Sequence, residues 1–374
     1  MRKIVIACDS FKGSLSSAEV AAAVTRGIRM AGEDCEVISL NVADGGEGTA
    51  LALTGALGGS IIETEVHGPL MRPVIAGYGI AGDMAVIEMA AASGLPLLSP
   101  SEKNPMEASS CGTGELIRDA LDHGCRKFLI GIGGSATNDG GTGMLEALGA
   151  RLLDRDGKAL HGCGASLSSI DRIDTTAMDD RLRVSRFTVA CDVDTPFCGP
   201  EGAAAVFAPQ KGASPAQVDM LDQGMQSLQS VILAETGCDL STTKGAGAAG
   251  GMGGALKAFF SADLKNGIEM VLDAVSFDSL IKDADLVITG EGCLDSQTPK
   301  GKVPYGVLRR ARKQGIDVLA LGGGVKMCPE LEAMGFIGIA KTSTGRTLEE
   351  SMEPVRAADD IAKKTAEIIR RLTI

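Results

Sequence analysis

Residues 3–32 read KIVIACDSFKGSLSSAEVAAAVTRGIRMAG. The apolar run Lys3–Cys8 is typical of a strand that is buried on both faces of a parallel sheet. Ser16 and Glu19 form a capping box at the start of an Ala- and Val-rich helix, and Gly32 is a suitable place for that helix to end. A strand, a polar turn and a helix in immediate succession predict the α/β class.

The same order of elements recurs at both ends of the chain. Further strands are predicted at Glu36–Val42, Asp285–Thr289 and Ile316–Leu321, each followed by a glycine-rich turn. Between about residues 67 and 282 the strands are less evenly spaced and the polar loops are longer. We therefore predict a doubly wound parallel-sheet domain made of residues 1–66 and 283–374, with a second α/β domain, residues 67–282, inserted into it.

The composition agrees with two domains and restricts the class of partner. The chain has 374 residues, of which 44% are hydrophobic, so it can bury a large core. Its formal net charge is −12 and it contains no Lys/Arg-rich run, which disfavours binding to nucleic acid or to an anionic membrane surface. Small molecules therefore remain as the expected class of binding partner. The oligomeric state is left open.

Cysteine usage and the first residues predict a cytoplasmic protein. The ten cysteines contain no CxxC pair, a spacing that fits reduced thiols better than zinc ligands or a disulfide framework. None of the three histidines lies in a ligand-like cluster of the sequence. The beginning of the chain is typical of a strand rather than of a signal peptide, and no apolar run is long enough to span a membrane.

Charged side chains follow the predicted strands of the terminal segments. The turns are Asp9–Ser14, Asp44–Thr49, Glu291–Lys302 and Gly322–Gly324. Parallel strands place such turns at one edge of a sheet, where ligands bind. Lysines suit phosphate oxygens, whereas carboxylates suit Mg²⁺ or a hydroxyl proton, so the combination favours phosphoryl transfer. The alternative is that Asp and Gly are ordinary turn formers here.

The segment KFLIGIGGSATNDGGTGMLEALGA (127–150) is a second candidate site. A predicted strand runs into glycines and hydroxyl residues before a helix, a pattern that suits a phosphate group. Gly131, Gly133 and Ala136 also match a dinucleotide fingerprint, with Asp154 and Asp156 at about the expected distance. A dehydrogenase is therefore an alternative, although a further glycine-rich loop precedes the helix. No P-loop motif is present.

A third candidate is Asp192-Val193-Asp194, after a predicted strand at Phe187–Ala190. Two carboxylates at this spacing either share a metal ion or begin a turn.

Seven motifs resemble the glycerate kinase family of bacterial sugar-acid and glyoxylate catabolism. They are DSFKGSLS (9–16), ADGGEGT (43–49), SSCGTGELI (109–117), GIGGSATNDGGTGMLEALG (131–149), CDVDTPFCGPEGAA (191–204), FAPQKGA (207–213) and TGEGCLDSQTPKGKVPYGV (289–307). The resemblance implies a kinase that uses ATP and Mg²⁺ to phosphorylate D-glycerate, and a flavodoxin-like domain split by the insertion. The chain is most similar to the type that forms 2-phosphoglycerate; formation of 3-phosphoglycerate is the alternative.

The physical argument assigns roles to the candidate residues. Lys12, near the helix start at Ser14, is predicted to hold the glycerate carboxylate or the transferred phosphate, and Asp44 or Asp192 to accept the hydroxyl proton. The predicted Mg²⁺ ligands are Glu291 and Asp295. The predicted contacts to ATP phosphates are Lys302, Gly133, Gly134, Ser135 and Thr137. A sugar-acid sensor without catalysis is a further alternative.

Overall fold

The computed structural model describes residues 1–43, 48–343, 345 and 347–372. The chain divides into two compact units. The first, which we call the terminal unit, comprises residues 1–44, 55–57 and 268–374. The second, which we call the middle unit, comprises residues 45–54 and 58–267.

The strands, in chain order, are β1 Lys3–Cys8, β2 Glu36–Asn41, β3 Ser60–His67, β4 Pro73–Ala81, β5 Met84–Glu88, β6 Lys127–Gly131, β7 Arg151–Leu153, β8 Ala159–Leu160, β9 Arg172–Asp174, β10 Arg186–Ala190, β11 Asp263–Lys265, β12 Leu286–Leu294, β13 Asp317–Val325 and β14 Gly338–Lys341.

The α-helices are α1 Ser17–Met30, α2 Thr49–Ala56, α3 Ala90–Ser93, α4 Cys111–Asp122, α5 Thr142–Ala147, α6 Ala203–Phe207, α7 Pro215–Thr236, α8 Met252–Phe260, α9 Gly267–Ala274, α10 Phe277–Leu280, α11 Val303–Lys313, α12 Pro329–Glu332, α13 Leu348–Met352 and α14 Pro354–Leu372. Short 3₁₀ turns lie at Leu95–Leu97, Pro100–Glu102, Gly164–Ser169, Asp180–Val184, Pro209–Lys211, Leu240–Thr242, Ala248–Gly251 and Thr298–Lys300.

The terminal unit is built on a parallel five-stranded sheet of order β14-β13-β12-β1-β2. Its centre joins distant parts of the chain, because Ile4 of β1 pairs with Leu286 of β12. Ile4, Val5 and Ile6 are fully buried, as the continuous apolar run predicts for a strand covered on both faces. The capping box at Ser16 and Glu19 begins α1 as predicted, with the Glu19 amide donating to Ser16 Oγ at 3.3 Å.

The middle unit has a six-stranded sheet of order β11-β10-β6-β5-β4-β3 and a small antiparallel sheet of order β8-β7-β9. The first four strands of the larger sheet are parallel, and β3 and β4 form an antiparallel hairpin at its edge. Phe128 and Phe187 stack between neighbouring strands with ring centroids 4.7 Å apart. The predicted mixed α/β fold with parallel sheets is therefore confirmed.

No helix among the described residues is both long and apolar enough to cross a membrane.

Candidate active site

A cavity of about 560 Å³ opens in the terminal unit, where the carboxyl ends of its parallel strands meet. It is lined by Asp9, Ser10, Phe11, Lys12, Ser14, Glu291, Gly292, Cys293, Asp295, Gln297, Lys302, Gly323, Gly324, Lys341, Ser343, Ser351 and Met352. Five predicted site residues are thus brought together: Lys12, Ser14, Glu291, Asp295 and Lys302. Four of these five residues carry a charge, and they line one space of a size that suits a drug-sized ligand.

The turn after β1 presents Lys12 at its tip. The Phe11 amide donates to the Leu15 carbonyl at 2.8 Å and the Leu15 amide donates back at 3.0 Å, which closes a tight loop. Gly13 within it has φ +78°, a conformation that favours glycine. The Ser14 hydroxyl is buried and no described residue hydrogen-bonds it. An unpaired buried hydroxyl beside a cavity is a suitable contact for a polar ligand.

The cavity also contains negatively charged side chains, the carboxylates of Glu291 and Asp295. Glu291 Oε1 accepts a hydrogen bond from Thr298 Oγ1 at 2.6 Å, and Asp295 Oδ1 accepts one from the Gln297 amide at 2.8 Å. Burial raises the pKa of Glu291 to about 7, aided by the charges of Asp9 and Asp295 and opposed by Thr298 and Lys302. A cation near these carboxylates would therefore be stabilised.

Two charged residues of the cavity have no role assigned from the sequence: Asp9, which lies in a predicted turn, and Lys341, which the sequence did not indicate. Asp9 is 7% exposed, and its Oδ1 accepts the Ser10 amide at 2.7 Å. Lys341 ends β14 and lies on the cavity wall. Asp9 directly follows a predicted strand, so a signal for it was present, whereas β14 is a short strand whose position the sequence pattern did not indicate.

The predicted phosphate-binding loop lies in the middle unit, after β6. Gly133 and Gly134 are exposed, whereas the side chains of Ser135 and Thr137 are buried. The two hydroxyl oxygens lie 3.1 Å apart, and Ser135 Oγ also accepts the Thr137 amide at 3.1 Å. The loop therefore presents glycine backbone to solvent while its hydroxyls stabilise its own shape.

A buried lysine, which sequence reasoning also missed, holds this loop. Lys211 is 2% exposed, and its Nζ donates to the Thr137 carbonyl at 2.5 Å and to Ser135 Oγ at 3.3 Å. Burial lowers the pKa of Lys211 from 10.5 to about 7, partly offset by the charge of Asp139. In the sequence, Lys211 was indicated only by its place in the motif FAPQKGA. Its contact with Thr137 spans 74 positions, so no local pattern reveals it.

Because Lys211 is buried, we expect the free energy of unfolding to depend on pH in the wild type, and we expect Lys211→Met to lose this dependence. Between pH 7 and pH 10 the unfolded chain keeps the lysine proton that folded Lys211 has released, so the wild-type free energy of unfolding rises with pH. In this pH range, we expect the free energy of unfolding of the wild type to rise relative to that of Lys211→Met by up to about 1.4 kcal/mol per pH unit. Urea denaturation at several pH values checks this. Lys158→Met, at an exposed position of the same unit, is the control, and parallel curves for wild type and Lys211→Met would contradict the prediction.

Asp139, in the same loop region, is fully buried and accepts four hydrogen bonds. They come from the Ser110 amide (2.8 Å), Ser110 Oγ (2.7 Å), the Gly141 amide (3.0 Å) and the Gly143 amide (3.2 Å). Burial raises the pKa of Asp139, and these four donors oppose that rise. The carboxylate therefore fixes the start of α4 against the start of α5.

The two predicted bases, Asp192 and Asp44, have different outcomes. Asp192 is exposed in the turn after β10, and its Oδ1 accepts the Gly267 amide at 2.9 Å. Since β10 and β6 are parallel neighbours, this turn and the loop after β6 lie at the same edge of the middle unit's sheet. Asp194 pairs with Lys244 at 2.8 Å. Asp44 lies outside the described residues.

The residues that match the dinucleotide fingerprint are not arranged as a dinucleotide site requires, because the acidic residues do not follow a strand of the parallel sheet. Asp154 lies in the turn between β7 and β8, where its Oδ1 accepts the amides of Asp156 and Lys158 at 2.9 Å. These strands belong to the small antiparallel sheet, not to the parallel sheet that follows the glycines. The pair of acidic residues therefore serves a hairpin turn.

Comparison with known proteins gives a consistent result over almost the whole chain. The model of the glycerate kinase family matches residues 4–373. A glycerate kinase of Bacillus subtilis (strain 168) is 50% identical over 325 residues, 86% of this chain and 85% of that protein. A glycerate 2-kinase of Escherichia coli (strain K12) is 48% identical over the same shares of the two chains.

A solved structure agrees at the level of the fold. The crystal structure of a protein assigned as glycerate kinase 2 from Salmonella typhimurium LT2 matches with a TM-score of 0.91 and 44% identity, and covers 100% of this chain and 98% of the other. The family resemblance and the kinase activity predicted from the motifs are confirmed, and a kinase family implies ATP as co-substrate. The chain belongs to the glycerate kinase family.

Proposed function

We propose that this enzyme transfers the γ-phosphoryl group of ATP to the 2-hydroxyl of D-glycerate, giving 2-phosphoglycerate, in sugar-acid and glyoxylate catabolism. The observation that carries the proposal is the cavity of the terminal unit, in which Lys12 and Lys302 lie with Glu291 and Asp295. Lysines and carboxylates in one cavity are what phosphoryl transfer needs. The 2-hydroxyl is supported by the relative named glycerate 2-kinase; the 3-hydroxyl is the alternative.

We assign anion binding to the lysines and to backbone amides. Lys12 and Ser14 would hold the glycerate carboxylate or the transferred phosphate, and Lys302 would bind ATP phosphates. In the middle unit, Gly133 and Gly134 offer exposed backbone to phosphate oxygens, and Ser135 and Thr137 support the shape of that loop. Such fixed charges stabilise the negative charge that spreads over the phosphoryl oxygens during transfer.

Magnesium fits the donor set of the terminal unit. Glu291, Asp295 and Asp9 line the same cavity, and carboxylate oxygens are the ligands that Mg²⁺ prefers. Burial is the main cause of the raised pKa of Glu291, with a smaller contribution from the charges of Asp9 and Asp295 that a bound cation would offset. We propose that Glu291 and Asp295 hold the ion, which when bound neutralises phosphate charge.

We propose Asp44 or Asp192 as the general base that accepts the proton of the attacking hydroxyl. Each carboxylate follows a strand of its unit, and Asp192 is exposed and so accessible to a substrate. Near-normal kcat in both Asp44→Asn and Asp192→Asn would rule out this assignment.

We also propose a cytoplasmic location, because all ten cysteines are free thiols.

The test is ADP release with D-glycerate, followed by ³¹P NMR of the product. We expect ADP only when D-glycerate is added, and a resonance that matches authentic 2-phosphoglycerate. Absence of glycerate-dependent ADP would refute the substrate, and a 3-phosphoglycerate resonance would refute the 2-hydroxyl. A reaction without D-glycerate measures background ATP hydrolysis.

A further inference from the structure

Three side chains that can bind metals meet at the start of α4, and none of them has a role in the function proposed above. Donor atoms of His67, Cys111 and Glu115 all lie within 4.8 Å of one another. His67 is the last residue of β3, and Cys111 and Glu115 are the first and fifth residues of α4. The spacing of four on a helix places the thiol and the carboxylate on one face, and the end of β3 brings the imidazole to it.

The backbone around this cluster is held in place. Glu115 Oε2 accepts the His67 backbone amide at 2.7 Å, and Glu115 Oε1 lies 2.8 Å from His67 Nδ1. A Cβ on residue 112 would lie only 1.9 Å from the His67 carbonyl oxygen, so glycine allows the close approach of α4 and β3. Two of the three ligands, His67 and Glu115, are therefore held in position before any ion arrives, which reduces the cost of binding.

The thiol distinguishes this cluster from an ordinary His–Glu ion pair. No hydrogen bond to the Cys111 sulfur is made by any described residue, and the side chain is only partly buried. The middle unit contains a second pair of the same kind, His161 Nδ1 and Glu146 Oε1 at 3.0 Å, but that pair is not joined by a cysteine among the described clusters. It therefore provides a matched comparison.

We propose that His67, Cys111 and Glu115 bind a divalent transition metal of the Zn²⁺ class. Imidazole nitrogen, thiolate sulfur and carboxylate oxygen are the ligands of zinc sites, whereas thiolate and imidazole do not suit Mg²⁺. Three protein ligands leave a fourth position for water or another small ligand. Binding releases the thiol proton to solvent and uses the neutral imidazole.

The site adjoins the hydrogen bonds that fix the loop region of Asp139. Ser110, immediately before Cys111, donates its amide and its hydroxyl to Asp139, and the Cys111 amide donates to Ser109 Oγ at 3.3 Å. An ion that ties β3 to the first turn of α4 would restrict this segment in the folded protein. Because the ion binds only the folded arrangement of ligands, it also raises the melting temperature.

The experiment is metal titration of the full chain after removal of metals with a chelator. With Co²⁺ as the probe we expect a thiolate-to-metal charge-transfer band that saturates at one equivalent, and with Zn²⁺ a competition curve against a chromophoric chelator. Cys111→Ser should abolish the band, and both Cys111→Ser and His67→Ala should weaken Zn²⁺ binding at least about tenfold. Zn²⁺ should raise the melting temperature of the wild type but not of Cys111→Ser.

His161→Ala is the control and should bind Zn²⁺ as the wild type does. Circular dichroism of each variant, recorded without metal, confirms that the fold is retained. Absence of the Co²⁺ band in the wild type would overturn the proposal. So would Zn²⁺ binding that is equal in the wild type, Cys111→Ser and His67→Ala. The readouts do not depend on kinase activity, so the outcome is independent of the proposed function.

Discussion

Lys302→Met is expected to lower kcat/KM for ATP by a factor of about 10²–10³, the usual loss when one charge-stabilising donor is removed. Lys302 lines the cavity of the terminal unit and is the residue that precedes α11. Its positive charge acts to lower the pKa of Glu291 in the same cavity, and it can also contact phosphate oxygens. Methionine keeps the length of the side chain and removes the charge. Steady-state kinetics with ATP and D-glycerate varied separately measure the effect.

Lys300→Met is the matched control for this prediction. Lys300 lies two positions earlier in the same loop and is exposed, but it is not among the residues that line the cavity. We expect Lys300→Met to keep kcat/KM near the wild-type value. Equal losses in the two variants would point to a general effect of charge on this loop. A near-normal Lys302→Met would contradict the role of Lys302 in binding phosphate.

Asp139→Ala is expected to lower the free energy of unfolding by about 3–5 kcal/mol, the loss that follows when one side of a buried charged network is removed. Four donors from Ser110, Gly141 and Gly143 would lose their acceptor in a region without solvent access. The cavity left by the carboxylate adds to this cost. Urea denaturation at constant pH, followed by far-UV circular dichroism, measures the change.

Asp239→Ala provides the comparison for Asp139. The Asp239 carboxylate also accepts a backbone amide, that of Ser241 at 2.9 Å, but it caps a short 3₁₀ turn at the surface. Water replaces the lost contact there, so we expect a loss of only about 1 kcal/mol. A similarly small loss in Asp139→Ala would mean that water reaches its four donors, contrary to the buried site that the structure shows.

Much of the terminal unit could be predicted from local signals. The apolar run gave β1 with its exact bounds, and the capping box placed α1 correctly. Thr347 and Glu350 match the same capping-box pattern and begin the short helix α13, whereas α14 starts anew at Pro354. Local capping chemistry is therefore visible in the sequence, and the proline marks the start of the second helix.

The strand after residue 285 ended later than predicted, for a tertiary reason. Glycines at Gly290 and Gly292 indicated a turn, yet β12 continues to Leu294 because it pairs with β13 as far as Val325. A Cβ at residue 290 would lie 2.4 Å from the Leu321 carbonyl oxygen. Gly290 therefore allows the two strands to approach closely, and Glu291 lies on a strand instead of in a loop.

Residues that line the cavity could be predicted where charged side chains follow a strand, whereas long-range contacts could not. Lys12, Glu291 and Lys302 were found because parallel strands collect such residues at one edge. Lys211 contacts a loop 74 positions away, so no spacing in the sequence indicates its burial. His67 and Cys111 were likewise separated in sequence and adjacent in space. Contacts between residues that are distant in the sequence can be identified only once the fold is known.

The pairing of β1 with β12 has a consequence for the nascent chain. Thr289 Oγ1 donates to the Ala7 carbonyl at 2.7 Å across 282 positions, so the first strand emerges from the ribosome long before its neighbour. At typical rates of synthesis the interval is roughly 15–60 s. During that time the middle unit is being translated, while the apolar strand Lys3–Cys8 lacks one of its two partners. Chaperone binding during synthesis should therefore concentrate on the first strand and its helix.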